Sequence, residues 1–431
     1  MRHTIIRIAR AIAIAIAALV AIAALSFIIL VNINPNKNRP AHMDNPTGYL
    51  CADGTNLYDG NGDLLQLKGV NLGNWFVQEF WMGFSSVGDF DTGLYTQMRA
   101  DAAMKANPNL TDEEIDALNA LYIHSYIQEK DFETIAGLGM NVVRIPFTWF
   151  NLTTDGETLR ENAFADLDWA VSMCEKYGIY AILDLHGAYG SQNQDVHSGD
   201  DSQFNLYGNE ENMSKACALW TRIAEYYADN ATVAGYDLLN EPRRAAGKFG
   251  GKVNFDFYDR LYQTVRKVDS HHLLFMECFT FPIHGARLGR YDWENVCIEY
   301  HIYNQTPLPQ KLCLDFYKAL HNMMGYHTPV YIGEWNAFSK EKDWEDTFAY
   351  FDALGWSFTS WTYKANARFF PSVGEEMKMD FCNWGLYELD EPQVDLSTAS
   401  YGEIEEVYKR TVTKEEDRSV VYDIWARYLG R

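Results

Sequence analysis

The chain of 431 residues is 47% hydrophobic and 15% aromatic, with 12 Trp, 27 Tyr and 24 Phe, and it carries a formal net charge of −23. That charge argues against nucleic acid, whose phosphates need a basic face, and against docking of the folded part on anionic lipid. The length fits two or three ordinary domains or one α/β barrel with insertions. The aromatic surplus suits a large core and also a cleft that stacks flat ligands with apolar faces.

At the amino end, "MRHTIIRIAR" holds three arginines and a histidine, and an uncharged run of 21 residues follows from Ala11 to Val31. At about 1.5 Å per residue, such a helix reaches roughly 30 Å, the thickness of the hydrocarbon layer. The run is longer than a secretory signal needs and ends in "FIILVNINPNKNRP" without an A-x-A site. An uncleaved membrane-spanning signal anchor is expected, with a removed signal peptide as the alternative. The arginines hold the short stub in the cytoplasm, so the remainder lies outside the cell. Residues 1–31 are read as stub and anchor, 32–48 as an exposed Asn- and Pro-rich linker, and 49–431 as the folded unit.

"GTNLYDGNGDLLQL" has Asp-Gly and Asn-Gly turns between apolar runs, the pattern of a β-hairpin. Eight strand-like runs follow in order: "LLQLKGVNL", "MNVVRIPF", "IYAILDL", "VAGYDLL", "HLLFMEC", "VCIEY", "PVYIGE" and "WSFTSW". Between them, "FADLDWAVSMCEKYG", "SKACALWTRIAEYYAD" and "FDFYDRLYQTVRKVDS" space apolar residues by three and four, as amphipathic helices do. This alternation predicts a parallel (β/α)8 TIM barrel, with the hairpin under its floor. Segments left over at about 76–130, 187–212 and 364–400 fall after the first, third and eighth strands, where they would deepen the active face.

Seven cysteines at 51, 174, 217, 278, 297, 313 and 382 form no C-x-x-C pair and no zinc-ligand spacing, so they read as small buried side chains. No metal or cofactor is expected. His271-His272 opens the fifth strand on the face away from the mouth and reads as structural. No H-E-x-x-H, P-loop or G-x-G-x-x-G occurs.

In a barrel the polar residues at the strand ends converge on one mouth. Here they are Asn71 and Glu79, Arg144, Asp184 and His186, Asn240 and Glu241, His301 and Tyr303, Glu334, and Trp361. A lone "NEP" or "GEW" occurs often by chance; the whole set on the proper strands does not. Two glutamates among an arginine, histidines and a tyrosine over an aromatic floor fit cleavage of a glycosidic bond. One carboxylic acid protonates the departing oxygen while the other attacks the anomeric carbon. Burial beside the other carboxylate is expected to raise the pKa of the donor.

The segments "RIPFTW", "DLHG", "LLNEP", "EYHIYN", "IGEWN" and "SWTYK" resemble glycoside hydrolase family 5 of clan A, in order and in strand position, over essentially Leu50 to Arg431. The resemblance implies Glu241 as acid/base and Glu334 as nucleophile. It implies Asn240 on the sugar 2-hydroxyl, Arg144 paired with the nucleophile, and His186 and His301 in the central subsite. Tyr303 would steer Glu334, and Trp361 would form the platform under the reacting sugar.

"GVNLGNWFVQEF" and "LDLHGAYGSQN" look like the exo-β-1,3-glucanase branch, which implies that Glu79 contacts the terminal glucose. Asn74 in place of a glycine, and Phe80 and Tyr189 in place of prolines, depart from that branch and leave the linkage preference open. The implied activity is retaining hydrolysis of β-glucans or β-glucosides, of the exo-acting glucan 1,3-β-glucosidase type. The alternatives are an endo-acting β-1,4-glucanase (cellulase), a hydrolase of glucosylated lipids, and a silent carbohydrate-binding barrel, against which the presence of both glutamates argues. A monomer at the cell surface, touching the membrane through its amino-terminal segment only, is expected.

Overall fold

The chain first builds a small antiparallel sheet from β1 (Cys51–Asp53), β2 (Asn56–Tyr58) and β3 (Leu64–Leu65). The expected hairpin is there, with Gly54 at φ 58° in its first turn, a left-handed conformation glycine adopts without strain. The run "LLQLKGVNL" is divided, its first two residues completing this sheet as a third strand and its centre entering the barrel.

The barrel strands are β4 (Lys68–Asn71), β5 (Val142–Thr148), β6 (Tyr180–Gly187), β7 (Val233–Asp237), β8 (Leu273–Glu277), β9 (Val296–Tyr303), β10 (Val330–Asn336) and β11 (Ser357–Ser360). They are parallel, neighbours in sequence are neighbours in space, and β11 pairs back to β4 to close the ring. Both faces of such strands are covered, which is why they read as continuous apolar runs. The computed structural model describes residues 19–37, 39–79, 81–88, 96–246, 250–278, 281–286, 290–304, 306, 308–338, 340–367 and 383–431.

The helices Ala165–Tyr177, Glu210–Tyr227 and Gly250–Arg266 cover β5 to β8 as their spacing predicts. The second begins a turn earlier than its apolar periodicity, because the Asn209 side chain accepts the backbone N–H groups of Glu211 and Asn212 and caps it there. Between β8 and β9 the described residues hold short 3-10 turns such as Pro282–His284 and no α-helix.

Leu57 and Leu67 pack with Val142, Ile182, Ala234, Leu273 and Tyr331 to seal the floor. His272 is buried beside Asp269, its Nδ1 at 2.5 Å from Oδ2, a structural contact away from the mouth.

Ahead of the sheet, a helix over residues 19–32 leaves Leu19, Val20, Ile22, Leu25, Ile28 and Ile29 more than half exposed. Among the described residues no helix is long and apolar enough to cross a membrane; residues 11–18 of the expected span lie outside them. The linker is less free than its composition suggests. Asn36 is buried and donates to the Leu354 carbonyl at 2.5 Å, and Leu64 donates its N–H to the Ala41 carbonyl. The six described cysteines are free, and Cys382 lies outside the described residues.

Candidate active site

Several strands run further than their apolar runs. β6 continues to Gly187, β9 to Tyr303 and β10 to Asn336, so Asp184, His186, His301, Tyr303 and Glu334 sit inside the last strand residues, not in the loops beyond. Side chains two apart share a face of a strand, which turns Glu299, His301 and Tyr303 together into the mouth. The β9–β10 register slips between Tyr300 and His301, and such irregularities re-aim side chains near sites. A Cβ on Gly333 would stand 1.8 Å from Glu299 Oε1, so only glycine leaves room for this acidic row.

Arg144 is wholly buried at the centre. Its Nη1 donates to Glu334 Oε1 at 3.0 Å and to Asn71 Oδ1 at 3.1 Å. Its Nη2 donates to Asn240 Oδ1 at 2.8 Å and to Asp237 Oδ2 at 2.6 Å, and the same nitrogen lies 3.1 Å from Asp184 Oδ2. The rigid guanidinium fork thereby fixes Glu334 and Asn240 relative to each other. The second oxygen of Glu334 accepts the Tyr303 hydroxyl at 2.7 Å and lies 3.5 Å from His301 Nδ1.

Glu241 is held differently. Its backbone is left-handed, φ 42°, a conformation uncommon outside glycine and asparagine. Its side chain is one-third exposed, with Oε1 at 2.9 Å from His301 Nδ1 and Oε2 at 3.3 Å from His197 Nε2. Carboxylate oxygens of Glu241 and Glu334 and a ring nitrogen of His301 all lie within 4.8 Å of one another.

The remaining expected residues line the same mouth. His186 Nδ1 is 2.7 Å from Asp184 Oδ2, and its ring stacks on Trp361 at 5.6 Å between centroids. Glu79 is buried, takes the Trp81 indole N–H at 2.7 Å, and donates its own backbone N–H to Asn74 Oδ1. Asn74 itself has φ 60°, so the residue that replaces glycine keeps the turn and adds a hook for Glu79. Tyr189 lies with its ring under Lys215 Nζ at 3.9 Å and edge-on to Trp149, and Phe80 lies outside the described residues.

Charge is distributed unevenly among these groups. Burial pushes Asp184 up to about 8, Asp237 to about 6 and Glu299 to about 8, with Arg144 drawing each of them back down. Burial likewise pushes Glu79 up to about 7, against the pull of His197. For Glu241 the expectation of a raised pKa is overturned: burial does push it up, but His197 and His301 outweigh burial and hold it well below the usual carboxylate range. Burial opposes charge on His301, yet Glu277, Glu334 and Glu241 raise it well above the ordinary imidazole range. Between Glu241 and His301 these influences favour the proton on His301. His186, by contrast, is lowered by burial and stays neutral.

Sequence reasoning passed over Asp237, Glu277, Glu299 and His197. The signal was present for three of them, a carboxylate in or ending an otherwise apolar run, as in "VAGYDLL", "HLLFMEC" and "VCIEY".

The model of the cellulase family (glycosyl hydrolase family 5) matches residues 104–367, from the helices before β5 to beyond β11. The chain belongs to glycosyl hydrolase family 5. Glu79 lies ahead of the matched residues, while Arg144, Glu241, Glu334 and Trp361 fall within them. The beta-xylosidase of Phanerodontia chrysosporium is 30% identical over 267 residues, 61% of this chain and 53% of that protein. The probable glucan 1,3-beta-glucosidase A of Emericella nidulans is 28% identical over 281 residues, 63% of this chain and 67% of that one. The matched part thus spans about half to two-thirds of these relatives. The crystal structure of rutinosidase from Aspergillus niger shares the fold, with a TM-score of 0.55 at 16% identity over 70% of this chain and 90% of that chain.

Proposed function

We propose that this family 5 protein is a retaining β-glycoside hydrolase acting on β-glucans or β-glucosides, with Glu334 as nucleophile and Glu241 as acid/base. The observation that carries the reading is the approach of their carboxylate oxygens within 4.8 Å. That spacing suits a double displacement, in which no water has to fit between the carboxylate and the sugar.

In the first step Glu334 attacks the anomeric carbon as the glycosidic bond breaks, and the departing oxygen takes the proton of Glu241. His301, 2.9 Å from Oε1, supplies that proton. In the second step Glu241 takes a proton from water and returns it to His301, the water oxygen bonds to the anomeric carbon, and Glu334 leaves. Arg144 and Tyr303 hold the nucleophile aimed, and Asn240, fixed by Arg144, meets the 2-hydroxyl. Trp361, His186 and Glu79 form the wall for the reacting sugar. A cavity of about 570 Å³ lined by Glu241, Arg243, Phe255, Ile283 and Tyr303 receives the leaving group.

The finer reading is exo action of the glucan 1,3-β-glucosidase type by a monomer. Residues 49–431 form the catalytic unit, 32–48 the linker, and 1–31 a stub and anchor that keep the enzyme at the outer cell surface. The exposed apolar side chains of the helix over residues 19–32 support an anchor. Product analysis tests the action: glucose as the sole early product from laminarin supports it. Mixed oligosaccharides from carboxymethylcellulose would favour the endo-acting reading instead.

A further inference from the structure

The strand next to the one that delivers Glu241 ends in another glutamate, Glu277, with 3% of its surface exposed. Its Oε2 accepts the backbone N–H of Glu241 at 2.5 Å, and its Oε1 lies 3.6 Å from His301 Nδ1. We propose that Glu277 is a positioning residue for the acid/base, holding the Glu241 backbone in the left-handed conformation that aims the Glu241 carboxyl into the mouth. The proposal rests on the assignment of Glu241 as acid/base.

Three observations support it. A glutamate at φ 42° is strained and persists only where its surroundings over-determine it. Here they do so from both sides of the residue: Glu277 takes the N–H, and Asn193 Nδ2 donates to the Glu241 carbonyl at 3.2 Å. Pro242 follows directly and disfavours the right-handed helical alternative for Glu241. Finally, Glu277 and Glu241 meet the same nitrogen of His301, so the side chain and the backbone of Glu241 are braced against one cluster.

Reach, not charge, is what this role requires. Burial pushes Glu277 well above the usual carboxylate range, and a neutral carboxyl accepts an N–H as an amide oxygen does. Asp at this position keeps the acid but retracts the acceptor by one methylene. Gln keeps the acceptor and removes the acid.

The test compares Glu277→Asp and Glu277→Gln with the full-length wild type on two soluble β-glucosides. Phenyl β-glucoside needs a proton on its leaving oxygen, whereas 2,4-dinitrophenyl β-glucoside does not. Misplacing a general acid should lower kcat/KM of Glu277→Asp about tenfold on the phenyl substrate and less than about twofold on the dinitrophenyl one. Glu277→Gln, which keeps the acceptor, should lose less than Glu277→Asp on the phenyl substrate and less than about twofold on the dinitrophenyl one. Equal losses on the two substrates, a Glu277→Gln enzyme worse than Glu277→Asp, or an unimpaired Glu277→Asp would overturn the role. A wild type inactive on both substrates would instead overturn the glycosidase assignment, and the positioning role would fall with it.

Discussion

At the floor of the barrel, the first residues of the strands place Val142, Ile182, Ala234, Leu273 and Tyr331 in one apolar cluster with Leu57 and Leu67. Further along, β5 to β10 place Arg144, Asp184, Asp237, Glu277, Glu299 and Glu334 in one ionisable cluster around His301. The floor gains stability from burial alone, about 25 cal/mol for each Å² of apolar surface removed from water. The mouth buries acids that gather around one arginine and one histidine, at a cost in desolvation. What stabilises the fold and what it is built to do are thus separated along a few residues of each strand.

The sharpest way to break this contrast is Glu334→Gln. Activity should fall roughly 10⁴-fold or more, on the scale of removing a nucleophile. The thermal unfolding midpoint should hardly move; an active variant would dissociate the ionisable cluster from the reaction. Glu241→Ala should lose roughly 10²–10⁴-fold and recover in part with azide on an activated glucoside, read as glycosyl azide formation.

Arg144→Met should damage both properties. It strands Asp237, Asp184 and Glu334 without their shared partner, and breaking a buried pair costs about 3–5 kcal/mol. Urea unfolding measures this, and a variant as stable as the wild type would contradict the view that Arg144 balances the mouth. At the floor, Leu273→Ala should cost about 2–5 kcal/mol in the same measurement. Its kcat should equal that of wild type, and a lowered kcat would blur the separation of the two ends.

The smallest effect is with pH. Asp184, Asp237, Glu299 and Glu79 have folded values of about 8, 6, 8 and 7, above their ordinary ones. Raised acids contribute stability that is complete below their unfolded values and is lost as pH rises through the folded ones. Asp269, lowered to about 2, works the other way, losing its contribution as pH falls from about 4 toward 2. The unfolding midpoint should therefore peak at about pH 4, near the unfolded carboxylate values, and decline toward about pH 8.5. A midpoint that rises across that window would contradict the raised values.

All eight barrel strands were legible because a parallel strand covered on both faces leaves a continuous apolar run. Their ends were not, since β6, β9 and β10 carry polar residues inside their last turns of pleat. Glu241 and Glu334 stood out because their motifs recur in order. Glu277 and Glu299 did not, because an acid closing an apolar run looks like the start of a loop until a neighbouring strand supplies its partner. The docking of Asn36 on the Leu354 carbonyl was equally hidden, since that acceptor lies 318 residues away in sequence. The lowered pKa of Glu241 depends on His197, whose position is set by a loop no periodicity describes.

The spacing of Glu241 and Glu334 is tested most directly by proton NMR of the sugar released from an aryl β-glucoside, followed from the first turnovers. Double displacement predicts that the β-anomer appears first and only later mutarotates. An α-anomer formed first would mean that water attacks directly, and that these two carboxylates do not divide the chemistry as their geometry indicates.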